Sequence, residues 1–411
     1  MSPPGSRFEG LSRAELAVLV PELLLIGQLI DRSGMAWCIQ AFGRAEMLQI
    51  AIEEWAGASP VYTSRMQRAL RFTGDDVITI FKGLQFDIGA PPQFMDFRFT
   101  VHDRRHGEFH LDHCGALLDV EPMGPDYVTG MCHDIEDPTF DATAIATNPR
   151  ARVRPIHRPP RRPADRHPHC AWTVTIDESN PEALGIPALE VIAATAAATW
   201  RLREIDRADE GAADYAGALL SDIDFAAFSH SALVRIAEEV CLQMHLLTLS
   251  FGLAVRRRAG GDTGLARSIC VKQLTGIAGV AAERIRRALR LPPSADGLAR
   301  TLRCHPLLNP SGYVVAEINA ECLHVSHSPA HADGAWISLC GPNSVGPLQA
   351  IATTVDPRLR VQATGTADDW TAEISLADSA LPESPEVQVT KLSLGATFEF
   401  RPRRSLPITP V

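Results

Sequence analysis

An α+β fold made by tandem duplication, each copy a helical layer packed on an antiparallel β-sheet, is predicted by three features of this 411-residue chain. The first is internal similarity. Cys114 and Cys132 recur as Cys322 and Cys340, and Pro149-Arg-Ala-Arg-Val153 recurs as Pro357-Arg-Leu-Arg-Val361, all 208 residues further on. "WTVTI" from Trp172 recurs as "WTAEI" from Trp370 at an offset of 198, because the first copy carries ten extra residues around "IHRPPRRPADRHPHC". Upstream the echo is weaker: "SRMQRAL" from Ser64 resembles "ERIRRAL" from Glu283, and Phe42-Gly43 resembles Phe251-Gly252. The second feature is that each copy opens with apolar residues at helical spacing, and the third is that each then turns to runs that alternate as half-buried strands do.

The elements follow in order. Ser12 and Glu15 form a capping-box pattern before an apolar-periodic run, "GMAWCIQAFGRAEMLQIAIEEWAG" extends the helical spacing to Gly57, and a third helix is predicted over residues 61–71. "MDFRFTVHD" and "EFHLDHCGALLDVEP" read as strands, as do "SGYVVAEINAECLHVSH" and "RVQATGT" in the second copy. Between the copies, after "DESNPEALGIP", an Ala-rich helix is expected over 188–207 with Asn180-Pro181 as its start signal. The resulting division is 1–178 for the first repeat, 179–224 for a helical connector and 225–411 for the second repeat. In the tail, "ATFEF" alternates like an edge strand.

Composition narrows the function classes. Hydrophobic residues make up 45% and the net charge is -10, which argues against general affinity for nucleic acid and for a small-molecule or protein partner. The N-terminus shows no secretory pattern, and the apolar run near residues 14–30 is interrupted by Glu15, Pro21 and Glu22, too broken for a membrane span. A cytoplasmic protein is expected, in which nine cysteines are reduced thiols serving as core residues, ligands or nucleophiles. The apolar helices permit a homodimer.

Eight of the fourteen histidines lie between His102 and His169, interleaved with Cys114, Cys132 and Cys170. Three readings stand side by side. Cys114 and Cys132 on neighbouring strands, with His113, His133, His110 or Cys170, would surround zinc or another transition metal, since thiolate and imidazole suit that class of ion. Cys132 would alternatively act as a nucleophile, which requires a nearby cation to lower its pKa; His133 and the Arg-rich segment "NPRARVRPIHRPPRR" are near in sequence. The plainest reading is a thiol pair in a core, because free cysteine behaves as a small apolar residue. Against a metal, no C-x-x-C or H-x-x-x-H pair anchors the cysteines, and His110 and His113, three apart on a strand, point to opposite faces. In the second copy the cysteines persist while Ile318, Glu321 and Gly341 stand where the first copy has His110, His113 and His133.

With these motifs in place, the stretch over residues 18–178 resembles the bacterial L-2-amino-thiazoline-4-carboxylic acid hydrolase-like family: "IGQLIDRSGMAW", "EEW" and "SRMQRAL" on helices, three cysteines, "NPRARVR" and "HCAWTVTI" on strands. The resemblance implies hydrolytic opening of a C–N bond in a small cyclic amino-acid-like substrate. Its matching positions here are Asp31, Trp37, Glu54 and Arg65 on the helices and Cys114, Cys132 and Cys170 on the strands. The chain departs from the pattern in the longer gap between the first two cysteines, the added histidines and the duplication. Read from the residues alone, Asp31 caps a turn, Trp37 is core, and Glu54 and Arg65 form a surface pair of little worth; if the helices roof the sheet, the same side chains face the cysteines across a pocket.

Two functions follow. As an enzyme, the first repeat would hydrolyse a C–N bond of a small carboxylate-bearing substrate. Arg65 or Arg152 would hold the carboxylate beside Trp37, Asp31 or Glu54 would act as base, and Cys132 with His133, or a metal on Cys114, Cys132, His113 and Cys170, would supply the nucleophile. As a non-catalytic sensor or partner protein, both repeats would instead carry equivalent small-molecule or metal pockets around a core cysteine pair.

Overall fold

The computed structural model describes residues 5–411. Ser12 Oγ accepts from Glu15 N while the Glu15 carboxylate accepts from Ser12 N at 2.8 Å, so the capping box starts α1 (Arg13–Phe42). The helix ends where Gly43 takes φ +84°, a left-handed conformation open to glycine, and α2 (Arg44–Ala69) then runs unbroken through Pro60. The break predicted after Gly57 therefore lies fourteen residues earlier, and residues 61–69 belong to α2. After α3 (Val77–Leu84) come β1 (Met95–Val101) and β2 (His106–Cys114). The strand expected to continue through "ALLDVEP" stops at Cys114, whose Sγ accepts from Leu117 N at 3.4 Å and caps α4 (Gly115–Val120). Next are α5 (Pro125–Thr129), a π-helical segment Gly130–Ile135 and α6 (Glu136–Ile145), so Cys132 sits on a helical segment and not on a strand beside Cys114. The repeat closes with β3 (Ala151–His157), β4 (Cys170–Ile176) and two short helices, α7 (Pro187–Ala193) and α8 (Ala196–Thr199).

The second repeat reproduces this order: α9 (His230–Arg258), α10 (Thr263–Ala288), α11 (Ala295–Cys304), β5 (Val315–Ile318), β6 (Cys322–Ser326), α12 (Pro329–Asp333), α13 (Gly346–Val355), β7 (Leu359–Gly365), β8 (Trp370–Leu376) and α14 (Pro385–Thr390). Both sheets are antiparallel with matching strand orders, β1-β2-β4-β3 and β5-β6-β8-β7. One sequence equivalence fails in three dimensions. Cys114 ends β2 opposite Met95, whereas Cys322 opens β6 opposite Glu373, so the two are not counterparts. The single helix expected over 188–207 is restricted to α7 and α8, with Ile186 and not Asn180 preceding the first turn, and "ATFEF" forms no strand.

The helical layers interlock. α1 packs chiefly on α10, and α2 on α9, so that each copy's helices complete the other's layer. Twenty-one residues into α2 and α10 stand Arg65 and Arg284; ten residues beyond the cap serines Ser12 and Ser229 stand Glu22 and Glu239. Arg65 crosses to Glu239 at 2.8 Å, and Arg284 crosses to Glu22 at 2.6 Å. All four are buried, including Arg65, which the surface-pair reading would have exposed. Each arginine also clamps its own repeat's tail: Arg65 donates to Ala198 O at 2.8 Å, Arg284 to Gly395 O at 2.7 Å and Phe398 O at 3.0 Å. Gly57 and Gly276, thirteen residues into α2 and α10, admit the tails, since a methyl there would lie 3.1 Å from Ala188 Cβ and 2.4 Å from Thr390 Oγ1. One buried apolar cluster runs from Phe8 to Ala396 across both repeats.

Removing one partner of such a pair strands a buried charge. Arg65→Ala should therefore cost about 3–5 kcal/mol, and replacing Arg65 and Glu239 together by leucine-sized residues distinctly less. Denaturant midpoints of the single and double variants measure this; equal losses would contradict it.

Candidate active site

Two adjoining cavities lie in the first repeat between the long helices and the segment from β1 to α6. The inner one, about 80 Å³, is bordered by Gln28, Tyr62, Asp87, Met95, Phe97 and Glu136. The outer one, about 190 Å³, is bordered by Asp31, Arg32, Met35, Asp119 and Tyr127. Met131 and Ile135 line both and partition them, and both side chains ride on the π-helical segment. π-Helical turns inside helices recur at functional sites, where the extra residue distorts the hydrogen-bond ladder. A groove of about 700 Å³ adjoins the inner cavity, sharing Leu84, Ala90, Met95 and Phe97 with it, and one of about 790 Å³ lies elsewhere; in the first Asp96 pairs with Arg98 and Arg403, in the second Arg65 pairs with Glu239.

The inner cavity holds two carboxyls in unlike surroundings. Asp87 Oδ1 accepts from Tyr62 Oη at 2.9 Å and from Gly89 N at 2.7 Å; burial lifts its pKa to about 6 against these two donors. Glu136 is lifted further, to about 8, by burial that Arg158 only partly offsets, and one of its oxygens makes no hydrogen bond. Of the two, Asp87, with two donors on its carboxylate, gives up its proton first, and Glu136, with an unpartnered oxygen, holds its proton longer. A base and an acid facing one cavity are the pairing that acid–base chemistry requires. At the partition, Arg32 stands 3.7 Å from both Asp31 and Asp119, too far for direct hydrogen bonds, with its side chain 15% exposed.

The three cysteines do converge, on Glu136. Cys114, Cys132 and Cys170 are all buried, and burial pushes every thiol up, Cys114 to about 12, with the Glu136 carboxyl next in effect on each. Arg32 on Cys114 and Arg158 on Cys132 pull the other way, but each acts less than burial and Glu136, so neither supplies the setting a thiolate needs. His133 turns away, its Nε2 2.7 Å from Pro159 O, and His113 Nδ1 lies 2.9 Å from Phe94 O. Among the described residues, the one set of three ligating atoms within 4.8 Å of one another is formed by His102, His106 and Glu108, apart from the cysteines.

The helical candidates divide. Asp31 borders the outer cavity, its carboxyl raised by burial against the pull of Arg32. Glu54 is fully buried with neither oxygen hydrogen-bonded, and burial, then Asp31, raises it well above the carboxylate range. Trp37 lies under Lys272 of the second repeat, 4.7 Å from its ring centre. Arg152 donates to Ala151 O and to Pro181 O, away from both cavities. Four other arginines of the segment are in ion pairs, Arg150 with Glu182, Arg154 with Asp141, Arg158 with Asp137 and Arg161 with Glu121. Sequence reasoning missed Arg32, Tyr62, Asp87 and Glu136. The available signal was charge at helical spacing on otherwise apolar faces, visible for Arg32 beside Asp31; Asp87 and Glu136 gave none, because their burial depends on the β1–α6 packing.

At the matching place in the second repeat, the polar lining is replaced. Gln28, sixteen residues beyond its cap serine, corresponds to His245, and Tyr62 and Arg32 correspond to Ala281 and Leu249. The His245 ring packs on Tyr313 and Trp336 at 5.1 and 5.7 Å.

Because Glu136 titrates higher in the folded chain than its ordinary 4.5, folding takes up a proton between about pH 4.5 and 8. Its contribution to stability therefore falls as pH rises through that window, by at most about 1.4 kcal/mol per pH unit. Glu136→Gln should flatten the slope of unfolding free energy there and make the chain the more stable of the two at pH 8. Titration of native thiols should show Cys322, which is only partly covered, reacting first and Cys114, Cys132 and Cys170 reacting only on unfolding. No helix among the described residues is long and apolar enough to cross a membrane. Comparison of the chain with protein-family models, with curated proteins and with solved structures gives no match in any of the three.

Proposed function

We propose that the first repeat is a hydrolase acting at a C–N bond of a small carboxylate-bearing molecule, with the acid–base pair Asp87 and Glu136 in place of a cysteine nucleophile. The observation that carries this reading is that two buried carboxyls border one cavity in unlike settings, Asp87 accepting from two donors and Glu136 with an oxygen left unpartnered. Asp87 takes a proton from a water whose oxygen bonds to the substrate carbon. Glu136 gives its proton to the departing nitrogen as the C–N bond breaks, and exchange with solvent restores both groups. Tyr62 holds the Asp87 carboxylate through its hydroxyl. Arg32 receives the substrate carboxylate in the outer cavity, where Asp31 and Asp119 flank its guanidinium at 3.7 Å without a direct hydrogen bond. The bond class is taken from what the family resemblance implies. Substrate spans the two cavities by displacing Met131 and Ile135, which the π-helical segment carries together.

A second reading, a non-catalytic binding module, is favoured by the inner cavity's 80 Å³, room for only two or three waters. Turnover of cyclic amidine and amide carboxylates separates the two. The hydrolase should show a bell-shaped kcat/KM against pH with limbs near 6 and 8. Asp87→Asn and Glu136→Gln should each lower kcat by about 10²–10⁴, while Arg32→Ala chiefly raises KM. Saturable binding that depends on Arg32 with no product would support the module, and turnover that survives both carboxyl variants but not Cys132→Ser would return the chemistry to a thiol.

A further inference from the structure

The outer face of the first sheet carries a second constellation, at the turn between β1 and β2. Strand alternation puts His106 and Glu108 on the same face of β2, while Gly107 and Phe109 point to the core. In the antiparallel register Val101 faces Gly107 and Thr100 faces Glu108, so His102, one residue beyond β1, comes opposite His106. The His102 and His106 rings lie 4.5 Å apart, and His102 Nε2 is 3.4 Å from Glu108 Oε1. That nitrogen is shielded from solvent and makes no hydrogen bond.

We infer that His102, His106 and Glu108 bind a divalent first-row transition ion of the zinc type. Two imidazoles and one carboxylate are a ligand set for such ions and leave at least one position for water or another ligand. Ligand atoms about 2.0–2.2 Å from one tetrahedral ion stand roughly 3.4 Å apart, the separation already present between His102 and Glu108. The platform is stiff. Asp103 Oδ1 accepts from Arg105 N at 2.6 Å and His106 N at 2.9 Å, fixing the turn, and β2 is paired on its other edge with β4, His106 opposite Thr175 and Glu108 opposite Thr173. The two arginines of the turn are engaged elsewhere, Arg104 with Asp76 at 3.0 Å and Arg105 with Glu178 at 3.5 Å, so neither cation occupies the site. The corresponding turn of the second repeat has Asn319, Glu321 and Cys322, and Cys322 pairs in register with Glu373.

The test is a zinc titration of the full chain against a chromophoric chelator, with cobalt absorption as a second readout of coordination. Wild type should take up one tight equivalent, with a zinc-dependent rise in Tm. His102→Gln, His106→Ala and Glu108→Gln should each weaken it by more than about 10–100-fold, the loss that changes merely behind a ligand cause, and abolish the rise in Tm. All three side chains are partly exposed, so circular dichroism should be unchanged. Absence of a saturable equivalent in wild type overturns the inference, as does a tight equivalent that survives the triple variant or that Cys132→Ser removes while His106→Ala does not.

Discussion

Two buried ion pairs that cross between the repeats hold the architecture. Arg65 of the first copy ends on Glu239 of the second, and Arg284 of the second ends on Glu22 of the first. This is the reciprocal contact of a two-fold interface, residue i on j and j on i, written into a single chain. Its energetic value lies in exclusion more than in net attraction, because a misregistered helix layer would leave two guanidinium and two carboxylate groups buried without partners. The same arginines reach the carbonyls of Ala198 and Gly395, so the register of the helices also fixes where each tail returns over α2 and α10. What the sequence presents as a connector between domains is therefore the closing strap of the first repeat.

A frame this symmetric makes its asymmetries informative. The long helices match position for position, yet the chemistry-bearing positions do not: Gln28, Arg32 and Tyr62 in one copy face His245, Leu249 and Ala281 in the other. Aromatic rings pack around His245, whereas in the first copy the π-helical segment Gly130–Ile135 leaves two cavities. A pair of equal binding modules would keep both linings, so the difference supports one working site on a duplicated scaffold.

The layer order, the capping box at Ser12 and the strand alternation were legible because each is a local pattern with its own period. The helix break lies at Gly43 and not at Gly57 because apolar residues keep their helical spacing straight across Gly43, whose positive φ is what ends α1. Equating Cys114 with Cys322 failed for a different reason. Spacing along the chain carries no strand register, and the two cysteines lie at opposite ends of comparable strands. The partner of Arg65 lies 174 residues away on α9, a separation no local motif encodes. Asp87 and Glu136 were invisible for the same cause, since an ordinary acidic residue becomes an unusual acid only through what is packed over it.

The cysteine cluster gains its meaning from that last point. A thiolate nucleophile needs an electropositive, accessible setting, and Cys114, Cys132 and Cys170 have the reverse, being buried beside a carboxyl. Glu136 lies close enough to raise all three thiols, and one of its own oxygens has no hydrogen-bond partner. What raises the Glu136 carboxyl is its own burial, opposed by Arg158 and reinforced by Asp137, and the same burial keeps the three thiols protonated.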